Sequence, residues 1–445
     1  MAVAVRFAPS PTGRLHLGNM RAAVLNWLFA RRHGGSFLLR IDDTDAGRST
    51  AAYEQGIVED LAWLGLVHDR FVRQSERRGR HLEVLEGLKA QGLLYPCYET
   101  EAELDAKRRL QAAMRKPPVY DRAALALSAE DRARLEGEGR RPYWRFRLSR
   151  APVVWHDLIR GEQRIDTAAL SDPVLIREDG QLLYTAASVI DDADFAITHV
   201  IRGEDHVTNT AAQIELFRAI GAEPPVFAHY PLFVDADGEP LSKRLGALAI
   251  TALREQGIEP MAIVSLLASL GTAAAPEPAL TPAARAATFA LEGFGRSAVR
   301  LDLRDLEAMN AKLLHMLPFA AVEVRLAALG VGGGEAFWDA VRANITRLDE
   351  AAGWWRIAQG TAAPVIEDAG FTAGAAGHLP PEPWDMETWG RFTKAVQAAT
   401  GRKGRALFHP LRLALTGREH GPDLKTLLPF IGRERAAARL RGETA

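Results

Sequence analysis

One stretch near the N-terminus constrains this chain more than any other: Arg6-Phe7-Ala8-Pro9-Ser10-Pro11-Thr12-Gly13-Arg14-Leu15-His16-Leu17-Gly18-Asn19. A short apolar segment, Val3 to Phe7, enters it and reads as a strand. Pro9 and Pro11 fix φ and stiffen the loop that follows, while Gly13 tolerates positive φ. From Met20 the apolar residues Met20, Val24, Leu25, Leu28 and Phe29 recur at helical spacing, which predicts a helix closed by Gly34 and Gly35. Strand, tight loop and helix N-terminus in this order suit an anion, because unpaired N–H groups and the helix dipole aim at it. His16 and Gly18 stand at the threshold of that helix. The glycine lets a ligand approach the backbone, and the histidine offers a donor to a phosphate oxygen or a ribose.

The 445 residues are enough for about three domains and a large core. At 47% hydrophobic and 25% charged residues the composition is that of an ordinary globular enzyme. Basic and acidic residues balance at 55 against 56, so a nucleic-acid partner must be met by local basic patches. The single cysteine, Cys97, rules out an intrachain disulfide and a cysteine zinc knuckle, and suits a reducing cytoplasm. The chain enters a strand at once, so no signal peptide is expected, and no apolar run is long enough to span a bilayer.

Phe37 to Ile41 reads as a buried strand that delivers Asp42-Asp43-Thr44-Asp45 to its C-terminal edge. Ligands bind at such edges in doubly wound α/β folds, although the same residues would also make a solvated turn capping the next helix. Helices are predicted over Ala51–Leu64 and about His81–Ala90. From Leu93 to about Pro173 the pattern changes. Glu101 to Lys116 is a basic helix candidate, with Lys107, Arg108, Arg109, Arg115 and Lys116. A second basic cluster, Arg140, Arg141, Arg145, Arg147 and Arg150, is interleaved with Tyr143, Trp144 and Phe146. Such mixtures serve phosphate contact and base stacking. They also suit a half-buried strand with Trp144, Phe146 and Leu148 inward and the arginines in water.

The α/β pattern resumes near Val174 with Leu182-Leu183-Tyr184-Thr185-Ala186-Ala187-Ser188-Val189-Ile190-Asp191-Asp192. A β-branched strand then ends in Arg202-Gly203-Glu204-Asp205-His206, a helix runs from Thr210 to Ala219, and Phe227 to Val234 is a further strand. Asp235 to Pro240 is a turn-rich loop before Leu241-Ser242-Lys243-Arg244. Thr272 to Ala287, rich in Ala and Pro, reads as a loop or hinge. Beyond it the chain reads as amphipathic helices over Asp302–Leu317, Glu335–Arg347, Trp384–Thr400 and Asp423–Arg441.

The Arg-Phe-Ala-Pro-Ser-Pro-Thr-Gly-x-x-His-x-Gly string resembles the first signature of class I aminoacyl-tRNA synthetases, in the version carried by bacterial glutamyl-tRNA synthetases. Leu241-Ser242-Lys243-Arg244 resembles that group's lysine loop. Ala406-Leu407-Phe408-His409-Pro410-Leu411-Arg412-Leu413-Ala414-Leu415-Thr416-Gly417-Arg418 is similar to one of its C-terminal stretches. The resemblance covers essentially the whole chain. It implies an α/β fold: a Rossmann-type parallel-sheet catalytic domain over 1–85 and 174–240, with an α+β insertion over 86–173 that grips the tRNA acceptor end. A helical stem-contact region over 241–318 and an all-α anticodon-binding domain over 319–445 would follow.

The implied activity is glutamate–tRNA ligation in two steps, adenylate formation from glutamate and ATP and then transfer to the tRNA 3′ end. The resemblance carries His16 and Lys243 into the catalytic role. It places Gly18, Asp205, His206, Leu232, Ser242 and Arg244 beside them at ATP. It carries Arg6, Ala8, Ser10, Asp42, Tyr184, Ser188 and Arg202 into the glutamate pocket. Arg6 and Arg202 can each bind a carboxylate bidentately, Tyr184 can add a donor, and Asp42 and Ser10 can receive the ammonium. Glutamine should be rejected, because its NH₂ would face a desolvated guanidinium.

Three positions depart from the family's habit: Asp42 for a common Glu, Ser188 for a common Asn, and Asn19 for a frequent His. Magnesium is expected with the ATP phosphates, and no structural zinc. The expected partners are tRNA(Glu), with tRNA(Gln) an open second substrate, for a cytoplasmic monomer. Anticodon contacts would involve Arg347, Arg356, Arg402 or Arg412. The rivals are a glutaminyl-type ligase, a synthetase-like RNA-binding paralogue without charging activity, a truncated paralogue that modifies a tRNA base, and a nucleotidyltransferase on the same fold. Intact signatures and the helical C-terminal third weigh against them.

Overall fold

In the computed structural model, which describes residues 2–45, 47–235, 238 and 248–445, the chain begins with strand β1 (Ala4–Phe7). Helix α1 (Leu17–Arg32), strand β2 (Ser36–Ile41), helix α2 (Ala51–Trp63) and strand β3 (Arg70–Arg73) follow. The three strands lie parallel in the order β1-β2-β3. Val5 to Phe7 and Phe37 to Ile41 are buried without alternation, the pattern of parallel strands covered on both faces.

Helix α3 (Arg78–Ala90) leads to β4 (Leu94–Cys97), α4 (Glu101–Ala113), α5 (Ala129–Gly137) and β5 (Tyr143–Phe146). The hairpin β6 (Pro152–Asp157) and β7 (Gly161–Asp166) precedes β8 (Val174–Ile176). Strands β4, β5 and β8 form an antiparallel sheet of their own. Next come α6 (Tyr184–Asp194), β9 (His199–Gly203), α7 (Val207–Ala219), β10 (Val226–Tyr230) and β11 (Phe233–Val234), the last paired with β12 (Val299–Arg300). A second large sheet runs β7-β6-β10-β9, parallel from β6 through β10 to β9. It abuts the first where the Thr198 N–H donates to the Ala4 carbonyl at 2.9 Å and the Ala4 N–H donates to Thr198 Oγ1 at 2.8 Å. Strand order reverses there, and the crevice beyond the C-terminal ends of β1 and β9 is the topological switch point.

The strand pairing differs from the expected insertion boundary at residue 173. In β6, Val153, Trp155 and Asp157 alternate inward, and Val153 and Trp155 pack in one cluster with Phe227, Ala211 and Leu216. The pairing of β6 with β10 joins 152–166 to the sheet of β9 and β10, while β4, β5 and β8 pair with one another. Within β5, Arg145 does not face water. It is buried over the Tyr120 and Tyr143 rings, 4.3 and 5.3 Å from their centroids, and donates to the Asp172 carbonyl at 2.6 Å. A planar guanidinium between aromatic faces loses less to desolvation than an ammonium would.

The chain divides into two units, Met1–Arg254 with Ile263–Asp302 and Glu255–Ala262 with Leu303–Ala445. The described part of the expected stem-contact region, 241–318, is thus split between them. The presumed loop over 272–287 contains a short helix, Pro282–Ala287, capped by Thr281. The second unit is all helical around Phe337, Trp338, Phe392, Leu411, Leu427 and Leu428. Its last helical stretch is two helices, Leu424–Ile431 and Arg433–Leu440, where one was expected. Gly432 between them has φ +77°, outside any helix. Arg439, fully buried, donates to the carbonyls of Leu415, Gly360 and Ala445. Among the described residues no helix is long and apolar enough to cross a membrane.

Candidate active site

Helix α1 starts three residues before the apolar periodicity that predicted it, because His16 caps it. His16 Nδ1 accepts from the N–H groups of Gly18 and Asn19 at 3.1 and 3.4 Å, and Asn19 Oδ1 accepts from the His16 N–H at 2.7 Å. The Leu17 N–H donates to the Leu248 carbonyl, and the Met20 N–H to the His16 carbonyl. All four N–H groups of the first turn are therefore engaged, against the expectation of free donors for an anion. What the helix end offers instead is its dipole and the outer edge of the His16 ring. Burial lowers the His16 pKa, so the ring is neutral near pH 7. With Nδ1 accepting, the proton sits on Nε2 and makes it a donor. Asn19 thus acts in the capping box at the position where the family often carries histidine.

Leu15 and Leu17 also bond to Ile250 and Leu248, so the chain emerging after residue 247 runs beside His16. Leu241, Ser242, Lys243 and Arg244 lie outside the described residues.

At the switch point a cavity of about 560 Å³ is lined by Arg6, Ala8, Ser10, Gly18, Tyr184, Arg202, Gly203, Asp205, His206 and Leu232, with Phe7, Pro9, Asn19, Ala22, Ile201 and Tyr230. Most of the expected ATP and glutamate residues therefore come together. Two do not. Asp42 and Ser188 are buried behind the wall, where Arg40 holds them. The Arg40 Nε and Nη2 donate to the two Asp42 oxygens at 2.7 and 3.2 Å, and Nη2 also donates to Ser188 Oγ at 3.1 Å. Arg40 Nη1 reaches Asp192 at 2.7 Å, and Asp192 in turn accepts from Arg6 Nε at 3.2 Å. Two arginines and two aspartates neutralise one another in this buried chain, which grips Arg6 by Nε. Sequence reasoning missed Arg40 and Asp192. The available signal was an arginine inside an otherwise apolar strand, since a buried charge must have partners.

From β9, Arg202 approaches Tyr184 Oη at 3.4 Å, and the Tyr184 ring lies 5.7 Å from His206. A Cβ at Gly203 would fall 2.5 Å from Asp205 Oδ1 and 2.9 Å from Leu232 Cδ2, so any larger residue would have to push those two side chains aside. Arg160, from the β6–β7 turn, pairs with Glu204 at 2.6 Å, and Glu204 accepts from the Leu232 N–H at 3.2 Å. Beneath the cavity Arg21 is buried against Tyr230 and Phe233 and donates to the carbonyls of Pro231 and Leu270; burial pushes its pKa down to about 10.

Of the basic insertion residues, Lys107 pairs with Asp121, Arg108 with Asp105 and Arg140 with Glu103, while Arg109, Arg141 and Arg147 are exposed. Cys97 is buried under Tyr120, and burial pushes its thiol up to about 12. In the helical unit Arg347 pairs with Glu307, and Arg402 with Asp368. Arg412 donates to the Pro422 carbonyl. Arg356 lines a cavity of about 400 Å³ with Trp354, Arg418, His420 and Asn344. Among the described residues no cluster of three or more His, Cys, Asp or Glu could hold a metal ion.

Residues 2–315 match the family of class I tRNA synthetases for glutamate and glutamine, catalytic domain, and residues 376–443 match an anticodon binding domain. The chain is 58% identical to glutamate–tRNA ligase 1 of Parvibaculum lavamentivorans, covering 100% of this chain and 99% of that one. It is 57% identical to the glutamate–tRNA ligase of Azospirillum brasilense, covering both chains fully. Among solved structures, a glutamate tRNA ligase of Elizabethkingia meningosepticum in complex with its amino acid superposes with a TM-score of 0.84, at 28% identity over 99% of this chain and 98% of that one. The first signature at a switch-point cavity, a helical C-terminal unit and full-length likeness at this level agree: the chain belongs to the glutamate–tRNA ligase family of class I aminoacyl-tRNA synthetases.

Proposed function

We propose that this protein activates L-glutamate with ATP and esterifies it to the 3′ end of tRNA(Glu). The observation that carries the reading is the pair of buried arginines, Arg6 and Arg202, that line one cavity beside the His16-capped helix. A dicarboxylic amino acid asks for two guanidinium groups at that separation of roles, with Tyr184 and Ser10 completing the polar lining. Glutamine is refused because its amide would set donor against donor.

ATP enters with magnesium as a substrate complex. The glutamate α-carboxylate attacks the α-phosphorus and pyrophosphate leaves; the terminal ribose hydroxyl of the tRNA then attacks the acyl carbon and AMP leaves. Catalysis is positioning and charge stabilisation. His16 Nε2–H and the dipole of α1 face the phosphates, and Lys243 adds a charge that counts most in the transition state. Gly18, Asp205, His206 and the Leu232 backbone form the adenosine side, with Ser242 and Arg244 beside Lys243. Asp42 and Ser188 serve glutamate indirectly, through Arg40 and Asp192. The exposed insertion arginines receive the acceptor end, and the cavity at Trp354, Arg356 and Arg418 takes an anticodon base, where a guanidinium over an indole already forms a stacking platform. The enzyme acts as a cytoplasmic monomer.

The test is charging of labelled glutamate onto purified tRNA(Glu) and tRNA(Gln) with ATP and magnesium. Charging of tRNA(Glu) alone marks a discriminating ligase, and charging of both marks a relaxed one. Charging of neither, with ATP still bound, refutes the assignment in favour of a non-charging paralogue.

A further inference from the structure

Arg202 is held from behind by a fully buried aspartate–histidine pair whose members come from two different strands. His229, on β10, lies between them: its Nδ1 is 2.5 Å from Asp157 Oδ2, and its Nε2 is 3.2 Å from Arg202 Nε. Asp157, the last residue of β6, is fully buried, and its Oδ1 accepts the backbone N–H groups of His229, Ile159 and Arg160. The charge on Arg202 fixes the tautomer. A proton on Nε2 would set two donors 3.2 Å apart, so Nδ1–H donates to Asp157 and Nε2 accepts from Arg202. Thr210 Oγ1 and Gln213 Oε1, both on α7, accept from Arg202 Nη2 at 2.8 and 2.6 Å. Nε and Nη2 are thereby occupied, and Nη1 is the edge left on the cavity side, where Tyr184 lies.

We propose that Asp157 and His229 are positioning residues for substrate glutamate: the pair sets the plane of the Arg202 guanidinium and so the affinity for the carboxylate that Arg202 binds. The proposal rests on the reading of Arg202 as a glutamate ligand. It also gives the β6–β7 hairpin a function, since Asp157 at one end of its turn serves Arg202 while Arg160 serves the Glu204–Leu232 edge.

The experiment compares glutamate charging of tRNA(Glu) by the full-length protein and its R202A, H229L, H229Q and D157N variants, with KM for glutamate and for ATP measured separately. H229L is expected to raise KM for glutamate about 10- to 100-fold, as for misplacement of a binding group. KM for ATP should hold, and H229Q, which keeps a donor toward Asp157 and an acceptor toward Arg202, should recover most of the loss. If H229L does not fold, D157N carries the test, with the same rise in KM for glutamate expected. A wild-type KM for glutamate in H229L, or in D157N where H229L is lost, overturns the proposal when R202A has raised it. Equal rises in both KM values overturn it too, since that is what a general loosening would give. A wild-type KM for glutamate in R202A instead refutes the reading of Arg202, and the proposal falls with it.

Discussion

At the scale of single residues, this site is built from charges that hold other charges. Arg6 and Arg202 face the cavity, and neither is free: Asp192 takes one by Nε and His229 takes the other. Arg6, gripped by Nε, and Arg202, gripped by Nε and Nη2, each keep their remaining N–H groups for a carboxylate and lose little further entropy on binding. Arg40 is the keystone of the first network, because it is fully buried and is bonded to both Asp42 and Asp192. Its removal strands the buried Asp42 carboxylate and leaves Asp192 with Arg6 alone. Arg40→Met should therefore lower the unfolding free energy by about 3–5 kcal/mol, the cost of breaking a buried ion pair from one side. Arg40→Lys should rescue little, since one ammonium cannot span two carboxylates and a hydroxyl. Urea unfolding of the two variants checks this, and a loss below about 1 kcal/mol in Arg40→Met would show that the carboxylates find other partners.

At the scale of elements, helix α1 depends on a cap that also orients a candidate catalytic group. Asn19 Oδ1 binds the His16 N–H while the His16 ring binds the Gly18 and Asn19 N–H groups, so each residue fixes the other. Asn19→Ala should cost about 1 kcal/mol of stability. It should also lower kcat more than it raises KM for ATP, because the His16 backbone that carries the ring loses the side chain that holds its N–H. Charging kinetics beside a melting curve decide between the two effects; a stability loss with unchanged kcat would leave Asn19 a cap alone.

Much of this element was legible in advance, because prolines, glycine spacing and the apolar repeat from Met20 are local signals. The capping was not, since histidine is an uncommon N-cap and the periodicity begins only at Met20. The same division runs through the site. Arg6, Ser10, Tyr184 and Arg202 could be named from strings that the family shares. Asp157, His229 and Arg40 could not, because their meaning depends on β6 meeting β10 and β2 meeting α6. Such long-range pairings leave no periodic trace in sequence. The pairing of β6 was out of reach for the same reason: Val153 and Trp155 mark a half-buried strand, and nothing local says which sheet buries it. Gly432 was a signal that went unread within a long amphipathic repeat.

At the scale of the whole molecule, the first unit carries an unusual load of buried titratable groups, and their shifts give it a definite response to acid. Burial lowers the pKa of His16, His199, His206 and His229 below the ordinary value of 6.5. The unfolded chain takes up protons at these positions that the folded chain refuses, so stability present above pH 6.5 is lost as the pH falls through it. Burial acts in the opposite sense on Asp42 and Asp60, each pushed up to about 6 against an unfolded value of 3.8. Below about pH 6 these two bind protons when folded that the unfolded chain does not yet hold, and this offsets the histidine loss. Stability of the first unit should therefore fall between about pH 7 and pH 6, and fall less steeply over the next unit of pH. Hydrogen exchange read peptide by peptide across β1, β9 and β10 at half-unit steps of pH measures it directly, after correction for the intrinsic exchange rate. Protection that stays level or rises between pH 7 and pH 6 would mean that these histidines accept protons in the folded chain without cost.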